Sequence, residues 1–128
     1  MKTIDQSFIH ENLMGPNVAL LFDELCRGEL PPDAGSRICD LGCGAGLSSL
    51  LAAETTHGTV SAVDSWNTPE KNRERFDAFD CGSRIKAIQA DAPDLPFEQH
   101  YFDALFSLDS YNYFGCGLGI IDKPHEML

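Results

Sequence analysis

The stretch Ile38-Cys39-Asp40-Leu41-Gly42-Cys43-Gly44-Ala45-Gly46 constrains this chain more than any other. It reads as a short strand that ends in an acid and then enters a turn with glycine at every second position. Glycines there allow left-handed backbone and remove the Cβ atoms that would keep a ligand away from the turn's N–H groups. Asp40, just ahead of the first glycine, bears on which ligand that is.

The rest of the chain alternates helix and strand around this turn. Ile4, Phe8, Ile9 and Leu13 fall at helical spacing over residues 3–13. Met14-Gly15-Pro16-Asn17 interrupts the pattern. Pro16 suits the first turn of a second helix carrying Val18, Leu20, Leu21, Phe22 and Leu25, with Gly28 as its C-terminal stop. Pro31 to Gly35 is a connector. Strands are expected at 38–40, 59–64, 85–89 and 102–108, and a helix over 47–53 with Leu47, Leu50 and Leu51 inward. Thr68-Pro69-Glu70 starts another helix, reaching about Phe79 with Phe76 and Phe79 toward the sheet. Ala92-Pro93-Asp94-Leu95-Pro96 is a loop. Such alternation predicts an α/β fold with a parallel sheet and right-handed crossovers. Beyond Leu108 no further strand signal is found, so the chain stops where another helix and strand are expected. The division expected is an N-terminal helical segment, 1–36, and a core, 37–128.

Composition narrows the partners. With 9 Lys and Arg against 20 Asp and Glu, the net charge of −11 repels nucleic acid and anionic membranes. No segment is apolar for the length a bilayer demands, and residues 1–13 lack a secretory pattern. Five cysteines, at 26, 39, 43, 81 and 116, form no CxxC pair and no even framework, which suggests reduced thiols and a cytoplasmic setting. His10, His57, His100 and His125 have no metal-ligand spacing and read as surface residues; no metal is expected.

Polar groups recur at the predicted strand ends: Asp40 after the first, Asp64 after the second, Asp91 after the third and Ser107 to Asp109 after the fourth. In open α/β sheets ligands bind beyond those carboxyl ends, where an acid can accept both hydroxyls of a ribose. A dinucleotide fingerprint, Gly-x-Gly-x-x-Gly, needs its third glycine at 47, which is leucine; the glycine falls at 46 instead. A pyrophosphate would also lie uneasily beside Asp40, whereas a ligand amino group would suit it.

Asp40-x-Gly42-x-Gly44-x-Gly46, Asp64, Gln89-Ala90-Asp91-Ala92 and Phe102-Asp103-Ala104-Leu105-Phe106-Ser107 together resemble the class I S-adenosylmethionine-dependent methyltransferases. Met14-Gly15-Pro16-Asn17 and the run from Ser107 to Gly115 are similar to a bacterial small-molecule subgroup, cyclopropane-fatty-acid-synthase-like. The resemblance spans roughly residues 14–115. It implies a Rossmann-like, partly parallel sheet of about four strands in the order 3-2-1-4 with flanking helices, lacking the family's usual strands five to seven.

The resemblance further implies S-adenosyl-L-methionine as cofactor and a small-molecule methyl acceptor. Asp40, Gly42, Cys43, Gly44 and Gly46 would lie against the methionine and ribose. Asp64, Ser65 and Trp66 would meet the ribose and adenine, with Asp91 and Ala92 on the adenine and Ser107 nearby. Asp109, Tyr111 and Tyr113 are the substrate-side candidates, and no catalytic base is assigned. An alternative is a catalytically incompetent cofactor-binding fragment that pairs with a second copy through an exposed sheet edge. A nicotinamide-dependent oxidoreductase is disfavoured by Leu47 and Asp40. Each residue also has a plain reading: the glycines a structural turn, Asp64, Asp91 and Asp109 caps or turn residues, Trp66 and the tyrosines packing. Cys43 reads as a small packing residue, and Glu70 to Arg75 as a solvated helix face.

Overall fold

The computed structural model describes residues 2, 4–13, 17–29, 35–91, 94–108 and 122–128. Its centre is a sheet of four parallel strands in the order β3-β2-β1-β4, as the resemblance implies. The strands are β1 (Arg37–Leu41), β2 (Thr59–Asp64), β3 (Ile85–Gln89) and β4 (Ala104–Phe106). Because all four run the same way, their carboxyl ends share one edge. Leu41 pairs with Val63 and Asp64 with Gln89, so Gly42, Asp64 and Ala90 emerge side by side there.

Strand periodicity sorts the core onto two faces. Ile38, Val60, Ala62 and Phe106 pack with Leu50, Phe76, Phe79 and Cys81 on one side. Cys39, Leu41 and Val63 pack with Leu95, Phe102 and Met127 on the other. β2 is buried at every residue from Val60 to Asp64, as a central parallel strand covered on both faces should be.

The first face is covered by α1 (Gln6–Glu11), α2 (Val18–Glu29), α3 (Leu47–Thr56) and α4 (Pro69–Phe76). Asp5 caps α1 by accepting from the Phe8 N–H at 2.9 Å, and Phe8 stands edge-on to Phe79 with ring centroids 4.8 Å apart. Asn17 Oδ1 accepts from the Ala19 and Leu20 N–H groups, so α2 begins on an asparagine cap. Pro16 lies outside the described residues. Gly28 falls within α2 rather than ending it.

Three further boundaries differ from the sequence expectation. α4 ends at Phe76, and a 3-10 turn over Asp80–Arg84 completes the crossover to β3. β4 covers only Ala104–Phe106, because the Phe102 N–H donates to the Met127 carbonyl and not to a strand. The tail forms α5 (Asp122–Glu126), with Pro124 in its first turn, where a missing N–H costs nothing. The His100 N–H bonds to the Glu126 carbonyl, and Met127 is wholly buried. Among the described residues no helix is long and apolar enough to cross a membrane.

Candidate functional site

The glycine turn joins β1 to α3 at the carboxyl edge, and Gly42, Gly44 and Gly46 all have positive φ, at 80°, 56° and 89°. Gly46 is demanded by packing as well: a Cβ there would stand 2.3 Å from Cε1 of Phe76. The turn's N–H groups are not bare. Gly42 and Cys43 donate to the Val63 carbonyl at 2.8 and 2.9 Å, Gly46 donates to the Cys43 carbonyl at 2.9 Å, and Gly44 donates to Asp64 Oδ1 at 3.2 Å. The expectation of free donors is thereby corrected. The turn is closed onto the neighbouring strand β2, and its shape is presented to a ligand more than its N–H groups are.

Asp40 lies beneath this turn with no solvent-exposed surface. Strand alternation points it to the α3 face, where the Ser48 and Ser49 hydroxyls donate to Oδ2 at 2.6 and 2.7 Å. Oδ1 is buried without a hydrogen-bond partner among the described residues. Burial pushes the Asp40 carboxyl up to about 6; the two serines oppose the shift and the Asp64 charge adds to it. A ligand amine does not reach this group directly while the turn stays closed. Cys43 is buried, and its thiol is pushed far above the ordinary range by burial, then by Asp40 and Asp64, which leaves it the packing residue its sequence context suggests.

Asp64 ends β2 almost fully buried and accepts four donors. Gly44 N–H meets Oδ1; the Trp66 N–H, the Asn67 N–H and the Asn67 side-chain amide meet Oδ2 at 3.1, 2.7 and 2.9 Å. A carboxylate offers about four acceptor sites. Oδ2 is therefore saturated, and spare capacity remains only at Oδ1. Two ribose hydroxyls cannot both be taken without displacing a protein donor.

The other candidates are spread along the same edge. Gln89 Nε2 donates to the Ser65 carbonyl at 3.1 Å, tying the loops after β2 and β3 together. Trp66 is 74% exposed, so its ring stands largely in solvent. Asp91 is exposed, with its carbonyl accepting from the Asp94 N–H. Ser107 Oγ donates to the Leu41 carbonyl at 2.8 Å, fixing the end of β4 to the end of β1. Ala92, Asp109, Tyr111 and Tyr113 lie outside the described residues.

Four residues of this edge escape a reading of the sequence: Ser48, Ser49, Asn67 and Asn72. Asn72 sits in the Glu70–Arg75 run expected to be a solvated face, and it is 2% exposed. Its Nδ2 donates to the Gly44 carbonyl at 3.1 Å and lies 3.7 Å from Cys43 Sγ; its Oδ1 accepts from Arg75 at 2.8 Å. Arg73, half-buried, donates to the carbonyls of Gly82 and Ile85. Period-3.6 spacing of Asn72 with Phe76 was the available signal. A cleft of about 490 Å³ opens between α1, the start of α3 and the end of α4, lined by Phe8, Asn12, Ala45, Leu47 and Arg75 among others. It shares Ala45 with the turn but none of the strand-end acids.

Residues 38–121 match the family model described as a methyltransferase domain. Over 74 residues the chain is 40% identical to demethylmenaquinone methyltransferase of Clavibacter sepedonicus, a match covering 58% of this chain and 29% of that protein. Over 87 residues it is 31% identical to 27-O-demethylrifamycin SV methyltransferase of Amycolatopsis mediterranei strain S699, covering 67% and 32%. The matches thus take in about a third of the length of these curated relatives. Among solved structures, a putative S-adenosyl-L-methionine-dependent methyltransferase of Methanococcus maripaludis superposes with a TM-score of 0.77 at 18% identity, over 100% of this chain and 61% of that one. With a match that runs from β1 through β4 and takes in well over half of its residues, the chain belongs to the methyltransferase domain family.

Proposed function

We propose that this chain binds S-adenosylmethionine at the carboxyl edge of the sheet and serves methyl transfer to a small molecule. The observation that carries the choice of cofactor is the closed glycine turn flanked by acids. Gly42, Cys43, Gly44 and Gly46 direct their N–H groups to protein acceptors, while Asp40, Asp64 and Asp91 surround the edge. A pyrophosphate needs free donors and positive potential; a sulfonium or ammonium is favoured by this negative field.

Asp64 would accept one ribose hydroxyl through Oδ1 while Oδ2 holds the loop after β2. Asp91, exposed beyond β3, would meet the adenine amino group together with Ala92. Trp66 and Ser65 border the same space, and Trp66 offers a ring face for stacking. Gly42, Gly44 and Gly46 let the turn lie flat against the bound nucleoside. Asp40 acts from behind the turn, orienting the start of α3 through Ser48 and Ser49 and adding negative charge in a low-dielectric setting. S-adenosylmethionine, when bound, supplies an activated methyl group for in-line displacement. The protein's share is alignment and exclusion of water. Asp109, Tyr111 and Tyr113 follow β4 and are assigned to the acceptor side.

A small acceptor is supported by the names of the two relatives, a demethylmenaquinone and a 27-O-demethylrifamycin SV methyltransferase, and by the −11 charge, which disfavours nucleic acid. The division into a helical segment, 1–36, and a cofactor-binding core, 37–128, belongs to the same proposal. Calorimetric titration with S-adenosylhomocysteine and NAD tests the cofactor: binding of the first alone is expected, and binding of NAD alone would overturn it.

Self-association of two copies is a second reading. Leu20, Leu21 and Leu25 of α2 are exposed, and β4 pairs on one side only among the described residues. Light scattering at high concentration is expected to give a dimer mass; a monomer contradicts it.

A further inference from the structure

The Gly44 residue is held from two directions by two different elements. Its N–H donates to Asp64 Oδ1 at the end of β2, and its carbonyl accepts from Asn72 Nδ2 on α4 at 3.1 Å. Gly44 sits at φ 56°, and besides Asn72 its carbonyl meets the adjacent Cys43 thiol at 3.6 Å, a weak donor. The orientation of the Asn72 amide is fixed in turn by Arg75, which can only donate and therefore requires Oδ1 on its side. With Oδ1 committed, Nδ2 must face Gly44. Asn72 is 2% exposed and has no path to a ligand of its own.

We propose that Asn72 is a positioning residue that sets cofactor affinity by fixing the Gly44 carbonyl, and with it the direction in which Asp64 Oδ1 is held. The chain Arg75–Asn72–Gly44–Asp64 joins the surface of α4 to the candidate ribose acid through three hydrogen bonds. Rotation of the Gly44 peptides would weaken the Gly44–Asp64 bond and release Oδ1 from the place where it can accept a hydroxyl. This inference rests on the cofactor assignment given above.

The test uses the full chain, Asn72→Ala, Asn72→Leu and a control, Ile85→Val. Asn72→Leu keeps the branched shape of the side chain and removes its amide, which leaves the Gly44 carbonyl only the weak Cys43 thiol contact at 3.6 Å. Ile85→Val removes one methyl from a buried position of β3, away from the turn. S-adenosylhomocysteine affinity is measured by calorimetry, and the amide resonances of residues 42–46 by NMR without ligand. Both Asn72 variants should bind about tenfold more weakly, the size of the single ligand hydrogen bond that a displaced Asp64 Oδ1 would no longer make. Their resonance changes should centre on Gly44 and Cys43, while the control keeps wild-type affinity. Equal affinity in wild type and Asn72→Leu, or unmoved Gly44 and Cys43 amides, overturns the inference and leaves the cofactor assignment standing. Wild-type protein that does not bind S-adenosylhomocysteine overturns both.

Discussion

The N–H of Gly44 donates to Oδ1 of Asp64 at 3.2 Å, so the turn after β1 and the acid that ends β2 form a single unit. Asp64 also gathers the Trp66 and Asn67 N–H groups, which makes it the organiser of its own loop before any ligand is considered. Replacing it by alanine removes acceptors from four donors. A loss of about 2–4 kcal/mol in unfolding free energy is expected from donors left without partners. Cofactor affinity should fall with it. Denaturant melts at fixed pH measure the first effect, and a change below about 0.5 kcal/mol would contradict it.

Gly46 is set by Phe76 as much as by the turn. At φ 89°, alanine pays for left-handed backbone by about 1–2 kcal/mol, and its Cβ meets the Phe76 ring at 2.3 Å. Gly46→Ala should therefore lower the melting temperature sharply. Adding Phe76→Leu opens space, so the double variant should lose less than the sum of the single changes. Strict additivity in thermal melts would show that Phe76 does not set the requirement.

Asp40 gives stability a pH dependence of definite sign. Its carboxyl is pushed from 3.8 up to about 6 in the folded chain, chiefly by burial. The folded state thus holds the proton more tightly than the unfolded state, and stability falls as pH rises from about 4 through about 6. The penalty is on the order of 3 kcal/mol and is complete above about pH 6. Asp40→Asn does not titrate. Its stability relative to wild type should improve between pH 4 and pH 7 by that order, as read from urea melts at each pH. A constant difference across the range would exclude a raised Asp40.

The thiols of Cys39 and Cys43 are buried and pushed up by burial, with Asp40 adding to both. Neither should react with a maleimide at neutral pH until the protein opens. Cys26 is half-buried on α2 and should be modified first of the four described cysteines. Mass spectrometry of briefly labelled protein checks this, and early labelling of Cys43 would contradict the closed turn.

Much of the scaffold is legible in the sequence because local pattern and global fold agree there. β2 and β3 span the expected residues, since each is a short segment carrying β-branched and other apolar residues and bounded by turn signals. Thr68 caps α4 through the Lys71 N–H, as its hydroxyl and the following proline suggest. What sequence does not show is which partners a polar residue finds. Asn72 lies among Glu, Lys and Arg and looks solvated, and only the third-dimensional approach of α4 to the turn buries it. The glycine N–H groups look available because their acceptors, Val63 and Asp64, lie on another strand. α5 was hidden by Pro124, a breaker in a helix interior but acceptable in a first turn. The substrate-side candidates Asp109, Tyr111 and Tyr113 fall outside the described residues.

We propose that the closed, acid-flanked turn favours a sulfur nucleoside bearing an ammonium group over a dinucleotide. Calorimetric titration of the 128-residue chain with S-adenosylmethionine, S-adenosylhomocysteine and NAD tests it most directly. Binding of both sulfur ligands, lost in Asp64→Ala, with no heat from NAD, is the result expected. Saturable NAD binding with no response to either sulfur ligand would contradict it.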